Sequence, residues 1–349
     1  MQQTNLSTSN SKQSFVRKLK RSVFGDRYRS PTEVIYQETI SGKKDFSRFM
    51  IRLFLPLLVV LCIMCYGFTY LFEQQIILGS EISGAHKINR NINYLDANEI
   101  PMFGSSRAQG SFIPDSIGKG FFNYGMDEAG YNVMLMMLTE ECKKQKNSPL
   151  IILNFDMEGL RSAVGDLANY MYNADYAPVR KLLQEKYKAY YSIPVIKYFG
   201  QFEIYAKYYL NDKMNLTKYT NRGASIEKNV LPEKKFLEMV DDRRKYVTTF
   251  SNEPALEKGL FKILKDNPSR HFVFIVSPYH QSYFEKYSNL QEAKQFLVSM
   301  EAFPNVTIFD FSSRVYPDDH FMNTTHINYK GALVFSKDLK DSLRTIVLQ

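Results

Sequence analysis

Residues 100–107 read Ile100-Pro101-Met102-Phe103-Gly104-Ser105-Ser106-Arg107, a short apolar run that stops at a Gly-Ser-Ser turn. Such a run, closed by a glycine, reads as a buried strand handing the chain on to a helix. Four more segments repeat the pattern downstream, at 120–124, 150–155, 271–277 (HFVFIVS) and 306–311 (VTIFDF). Between them lie stretches with helical spacing of apolar residues, at 129–146, 256–266, 289–301 and 329–348. Short strands alternating with helices predict an α/β fold, a parallel sheet flanked by helices. Ligand sites in such sheets lie beyond the carboxyl ends of the strands, which is where Ser106 is delivered. Gly104 permits the tight turn, so the Ser106 hydroxyl is exposed while the following backbone N–H groups face an oxyanion position.

A serine hydroxyl is a poor nucleophile at neutral pH and needs a base within hydrogen-bond reach. The chain has five histidines, His86, His271, His280, His320 and His326. His86 precedes the domain and His271 begins a strand. His280 follows Pro278 at another strand end and is a candidate to line the site. His326 sits in Asn323-Thr324-Thr325-His326-Ile327-Asn328, just before the last helical stretch. An imidazole with its ordinary pKa near 6.5 suits a general base there. His320, six residues earlier, is the alternative base.

The net charge of +9 divides unevenly along the chain. Residues 1–52 carry eleven Lys/Arg against four acids, a net of +7, which leaves +2 for everything after them. Residues 53–72, LFLPLLVVLCIMCYGFTYLF, contain no charge and match the thickness of a bilayer's hydrocarbon core. They read as a transmembrane signal anchor, since about fifty mostly polar residues precede them and a cleaved signal peptide starts earlier and is shorter. Positive flanks stay on the cytoplasmic side, so the basic tail 1–52 is expected inside and the rest outside, periplasmic or extracellular. That explanation of the charge removes the case for nucleic acid.

After the span, residues 73–98 mix apolar and polar side chains and read as a stalk before a domain at 99–349. Within it, 157–249 lacks an evident strand and reads as a mainly helical insertion. Its tyrosines, Tyr170, Tyr172, Tyr176, Tyr187, Tyr190, Tyr191, Tyr198, Tyr205, Tyr208 and Tyr209, suit either packing between helices or contact with sugars or a membrane interface. Cys62 and Cys65 lie in the apolar span and Cys142 stands alone, which leaves the outer domain no disulfide framework and no cysteine-based metal site. No metal or cofactor is expected.

The order of the polar blocks carries a resemblance. Gly104-Ser105-Ser106-Arg107 comes first, then Asn123-Tyr124-Gly125, then Ile152-Leu153-Asn154-Phe155-Asp156, then the D-x-x-F-x-N-x-x-H-x-N-x-x-G run from Asp318 to Gly331. This arrangement resembles the SGNH/GDSL hydrolase superfamily, in its membrane-anchored branch related to the teichoic acid D-alanine transfer protein and to alginate-type O-acetylation proteins. The resemblance covers about residues 98–160 and 270–349. It implies a three-layer sandwich and acyl chemistry, with Ser106 as nucleophile and His326 as base. An oxyanion hole would form from the Ser106 and Gly125 N–H groups and the Asn154 side chain. The position three before the base is Asn323, where the family usually has Asp; Asp318 and Asp319 are alternative carboxylates. Arg107 and His280 are candidate substrate contacts, although anchoring the turn suits Arg107 as well. The activity implied is that of a serine esterase or O-acyltransferase on acyl groups of a cell-surface or exported polysaccharide. The alternative is an inactive glycan-binding or assembly partner of a multi-span membrane acyltransferase.

Overall fold

The computed structural model describes residues 45–183 and 193–347. The basic tail through residue 44, and Tyr187, Tyr190 and Tyr191, lie outside the described residues. The chain divides into two units, 1–65 and 66–349. One long helix, α1 (Asp45–Ile77), has a mean hydropathy of 2.4 over an eighteen-residue window and is long and apolar enough to cross a membrane. It extends the expected 53–72 span at both ends.

The second unit follows as α2 (Gly84–Asn93), β1 (Ile100–Phe103), α3 (Ser106–Ser111), α4 (Pro114–Ile117), β2 (Phe121–Asn123), α5 (Tyr131–Cys142) and β3 (Leu150–Asn154). Next come α6 (Ala177–Leu182), α7 (Pro194–Lys197), α8 (Phe202–Met214), β4 (Lys218–Asn221), β5 (Ala224–Glu227) and α9 (Glu233–Arg243). The chain closes with α10 (Pro254–Asp266), β6 (His271–Val276), α11 (Leu290–Met300), β7 (Val306–Asp310) and α12 (Tyr329–Val347). Five strands form one parallel sheet in the order β2-β1-β3-β6-β7. The five predicted strands and four predicted helices fall on these elements within three residues or fewer at most ends, and within four at the C-terminal end of α5.

Both faces of the sheet are covered, which explains why its strands read as apolar runs without polar alternation. Ile151, Leu153, Phe272, Phe274 and Val276 point into one core with α2, α5, α10 and α11. Leu150, Ile152, Val273 and Ile275 point into the other, with α3, α9 and α12. The period of two along each strand thus feeds two separate cores.

Two expectations need correction. Residues 73–98 are not a stalk: Ile77, Ala85 and Ile88 are fully buried in the first core, and Lys87 and Asn91 are buried beside them. Polar groups on the buried face of α2 hid its helical pattern. The stretch 157–249 also holds a β4–β5 antiparallel hairpin. Its turn puts Arg222 and Gly223 at positive φ (42° and 86°), the conformation of a two-residue hairpin turn. Arg222 O accepts the Asn123 N–H at 2.9 Å, so the hairpin covers the β2 edge, while Ala224 and Ile226 join the second core. Among the tyrosines of this stretch, Tyr170, Tyr198 and Tyr205 are buried in the first core, and Tyr172 and Tyr176 pack against it.

Candidate active site

Strand order reverses at β1: β2 lies on one side, and β3, β6 and β7 follow on the other. The crevice outside the carboxyl ends of β1 and β3 is therefore the switch point where open α/β sheets bind ligands. Ser106 leaves β1 there and Asn154 ends β3. Gly104 holds φ at +155°, and a Cβ at this position would stand 2.6 Å from the Ala108 Cβ and 2.8 Å from the Asn154 Cβ. Only glycine lets the turn close on its neighbours. Ser105 then caps α3, its Oγ accepting the Arg107 N–H at 3.3 Å. Ser106 becomes the first residue of the helix, where a backbone N–H has no intrahelical acceptor.

The base arrives from the other end of the chain. Ser106 Oγ lies 2.9 Å from His326 Nε2. His326 sits in a tight loop whose Met322 and Asn323 N–H groups both donate to the His326 carbonyl, at 2.8 and 3.3 Å. Asn323 Oδ1 accepts the N–H groups of Thr325 (2.9 Å) and His326 (2.8 Å), which fixes the amide with its oxygen toward the ring. His326 Nδ1 stands 3.1 Å from that oxygen and 2.9 Å from Thr325 Oγ1. An oxygen held by two backbone donors acts as an acceptor, so the ring proton belongs on Nδ1 and the lone pair of Nε2 faces the Ser106 hydroxyl. Burial, with the Arg107 charge adding to it, pushes the imidazole down to about 4, so it is neutral at ordinary pH. Asn323 therefore orients the ring as an Asp would, without supplying a charge.

The alternatives for these roles are engaged elsewhere. Asp318 Oδ1 lies 3.3 Å from His280 Nε2, and Asp319 pairs with Lys330 at 2.9 Å. The His320 carbonyl accepts the Asn328 N–H at 2.9 Å, and its ring lies tilted at 6.3 Å from the Tyr316 ring. His280 packs edge-on against Phe236 and Phe321 with its Nδ1 at 2.7 Å from Ser282 Oγ, so its ring is committed within the fold and not offered to a substrate. Arg107 is buried, donates to the Ser277 and Pro278 carbonyls (2.8 and 2.9 Å) and lies 3.3 Å over the Tyr279 ring. It anchors the turn, and with its guanidinium tied to these carbonyls its charge still acts on His326.

The oxyanion side differs from expectation at one residue. The Gly125 N–H donates to Asn123 Oδ1 at 2.9 Å, and the Gly125 carbonyl accepts from buried Lys87 Nζ. Its peptide is thus used on both sides, and a Cβ there would meet Gln109 N at 2.5 Å. Asn123 clamps the region further, donating to the Ala108 and Phe112 carbonyls. Asn154 keeps a usable donor: Ser277 Oγ holds its Oδ1, and one Nδ2 hydrogen goes to Asp156 Oδ1 at 2.7 Å, leaving the second. Burial pushes the Asp156 carboxyl up to about 6 against the opposing pull of Arg107.

Sequence reasoning missed Asn123, Asp127, Asp156 and Lys87. Burial draws Lys87 down to about 7, and the Asp127 charge acts on both Lys87 and His326. An Asn two residues before a glycine is itself a signal, because Asn side chains accept from the backbone two residues on.

No family model matches the chain, and no curated protein matches it. A solved structure from Streptococcus pneumonia, provisionally named as a platelet activating factor, aligns with a TM-score of 0.39 and 11% identity, covering 80% of this chain and 99% of that one. So distant a likeness adds nothing to the reading of the site.

Proposed function

We propose that the chain is a membrane-anchored serine esterase or O-acyltransferase of the SGNH/GDSL type, acting on acyl groups of a cell-surface or exported polysaccharide. The observation that carries this reading is the 2.9 Å contact between Ser106 Oγ and His326 Nε2 at the sheet's switch point, with Nδ1 held by Asn323. In the reaction, His326 Nε2 takes the hydroxyl proton as Ser106 Oγ bonds to the ester carbonyl carbon. The Ser106 N–H and the free Asn154 Nδ2 hydrogen receive the oxyanion. The tetrahedral adduct collapses to acyl-Ser106 as the Nε2 proton passes to the departing alkoxide oxygen. A water or an acceptor hydroxyl, deprotonated by the same nitrogen, then releases the acyl group. The helix α1 and the basic flank before it support an orientation with the tail inside and the domain outside. A tethered enzyme of this kind stays beside the machinery that exports its polymer.

The second reading is a non-catalytic glycan-binding or assembly partner of a multi-span membrane acyltransferase. Asn323 in place of a carboxylate favours it, because the base gains no countercharge as it protonates. Fluorophosphonate labelling of the full chain in detergent decides between them, with Ser106→Ala and His326→Ala as controls. The catalytic reading expects covalent labelling that both substitutions abolish; equal labelling of wild type and Ser106→Ala sinks it.

A further inference from the structure

We infer that residues 193–199, around α7, form a shallow bilayer-contacting wedge that seats the domain on the membrane beside its own helix. The segment exposes Ile193 (50%), Ile196 (44%) and Phe199 (74%), the last being the most exposed large apolar side chain among the described residues. Three such residues within seven positions form an apolar patch of the kind that marks a binding surface. Tyr198 of this segment, with Phe202 and Tyr205 at the start of α8, grips α1 where its apolar section ends. Phe72 packs at 4.9 Å from Phe202, 5.5 Å from Tyr198 and 5.8 Å from Tyr205, and Phe68 lies 6.0 Å from Phe202.

The polar groups agree with an interfacial position. The one charged residue between 193 and 201 is Lys197, and its Nζ pairs with Glu73 at 3.1 Å, just past Phe72. The Tyr198 hydroxyl also donates to Glu73. On α1 itself, Tyr66 and Tyr70 are exposed within two turns of Phe72. Tyrosines at the end of an apolar helix mark the headgroup level of a bilayer. The apolar patch therefore adjoins, through Tyr198, a helix end that carries exposed tyrosines, and lipid is the occupant this adjacency selects. Burying it about 5–10 Å into the headgroup boundary is the ordinary depth for a monotopic element.

The inference rests on α1 lying in the bilayer and is independent of the catalytic reading. The chain contains no Trp, so each substitution to Trp adds a single fluorophore. Full-length protein is reconstituted into phosphatidylethanolamine/phosphatidylglycerol vesicles without brominated lipid, with lipid brominated near the headgroup end of its acyl chains, or with lipid brominated near the methyl end. Three variants are compared: Phe199→Trp, Leu61→Trp within α1, and Tyr246→Trp as an exposed ring outside the patch. The expected result is a blue-shifted Phe199→Trp emission that loses most of its intensity to brominated lipid, strong quenching of Leu61→Trp at some bromine depth, and little change in Tyr246→Trp. Emission from Phe199→Trp that matches Tyr246→Trp overturns the inference, since the patch then faces water. A blue-shifted but unquenched Phe199→Trp also overturns it, assigning the patch to a protein neighbour. An unquenched Leu61→Trp removes its premise. Fluorophosphonate labelling of the same vesicles reads the catalytic proposal separately, because none of the three positions touches Ser106 or His326.

Discussion

The two halves of the candidate site are built to different degrees. On the base side, Ser106, His326 and Asn323 are already linked in order, with distances of 2.9 and 3.1 Å. On the oxyanion side, the Gly125 N–H is tied to Asn123 and only Ser106 and Asn154 offer free donors. On the catalytic proposal, proton transfer falls to a hydrogen-bonded loop, while charge stabilisation falls on fewer groups than the family resemblance implies. The comparison teaches that a glycine at the right place in sequence is not yet a donor, because what its N–H meets depends on the side chain two residues before it.

The largest effect that sharpens this contrast belongs to Asn154. Replacing it with Ala is expected to slow fluorophosphonate labelling by about 10²–10³-fold, the usual loss for one oxyanion donor. An unchanged rate in rapid-mixing experiments would return the role to Gly125.

Next in size is Asn323. Asn323→Ala should slow labelling by less than Asn154→Ala, because Thr325 Oγ1 also stands 2.9 Å from His326 Nδ1 and can still hold the ring. Asn323→Asp should instead raise the imidazole pKa above its value of about 4, since a carboxylate favours the charged ring. In the native protein, labelling should hold as pH falls and be lost only near pH 4, where Nε2 takes a proton. The pH–rate profile, together with an NMR titration of the ring, checks both.

Asn123→Ala breaks the comparison from the other side. It frees the Gly125 N–H while leaving the Ala108 and Phe112 carbonyls without their donor, a loss of about 2 kcal/mol in denaturant unfolding. Labelling should not fall with it. A drop as deep as that of Asn154→Ala would mean that the clamp itself positions the site.

The smallest effect on labelling is expected at Lys87, whose signature is in stability. Its native pKa is about 7 against an ordinary 10.5, so the unfolded chain binds the proton first as pH falls through that window. Native stability should therefore decline from pH 10 toward 7, and Lys87→Met should flatten that slope. A slope unchanged by the substitution would show that Lys87 stays charged.

The sheet was legible because its strands bury both faces and so appear as unbroken apolar runs, HFVFIVS most plainly. Ser106 and His326 were legible because a Gly-Ser-Ser turn and a histidine before a terminal helix suit one chemistry. What escaped notice had its signal masked by polar residues. In α2, Lys87 and Asn91 occupy the buried face, so hydropathy gave no helix. The hairpin of β4 and β5 turns on Arg222-Gly223 in place of the commoner Asn-Gly pair, and its strands are only four residues long, with alternation in ASIE but none in KYTN. Arg107 looked like a substrate contact because a cation beside a nucleophile is suggestive, yet its stem follows α3 inward to the Tyr279 ring.

Ser106 and His326 are 220 positions apart, and the loop carrying the histidine is fixed by α12 at the very end of the fold. Contacts this distant in sequence form late in folding. During synthesis the serine is made early and stays unactivated until nearly the whole chain has emerged and packed. On the catalytic proposal, a partly made or misfolded copy carries the hydroxyl but lacks its base. On that proposal, a reactive-serine probe applied to cells would count finished molecules, and would serve as an assay of folding yield as much as of activity.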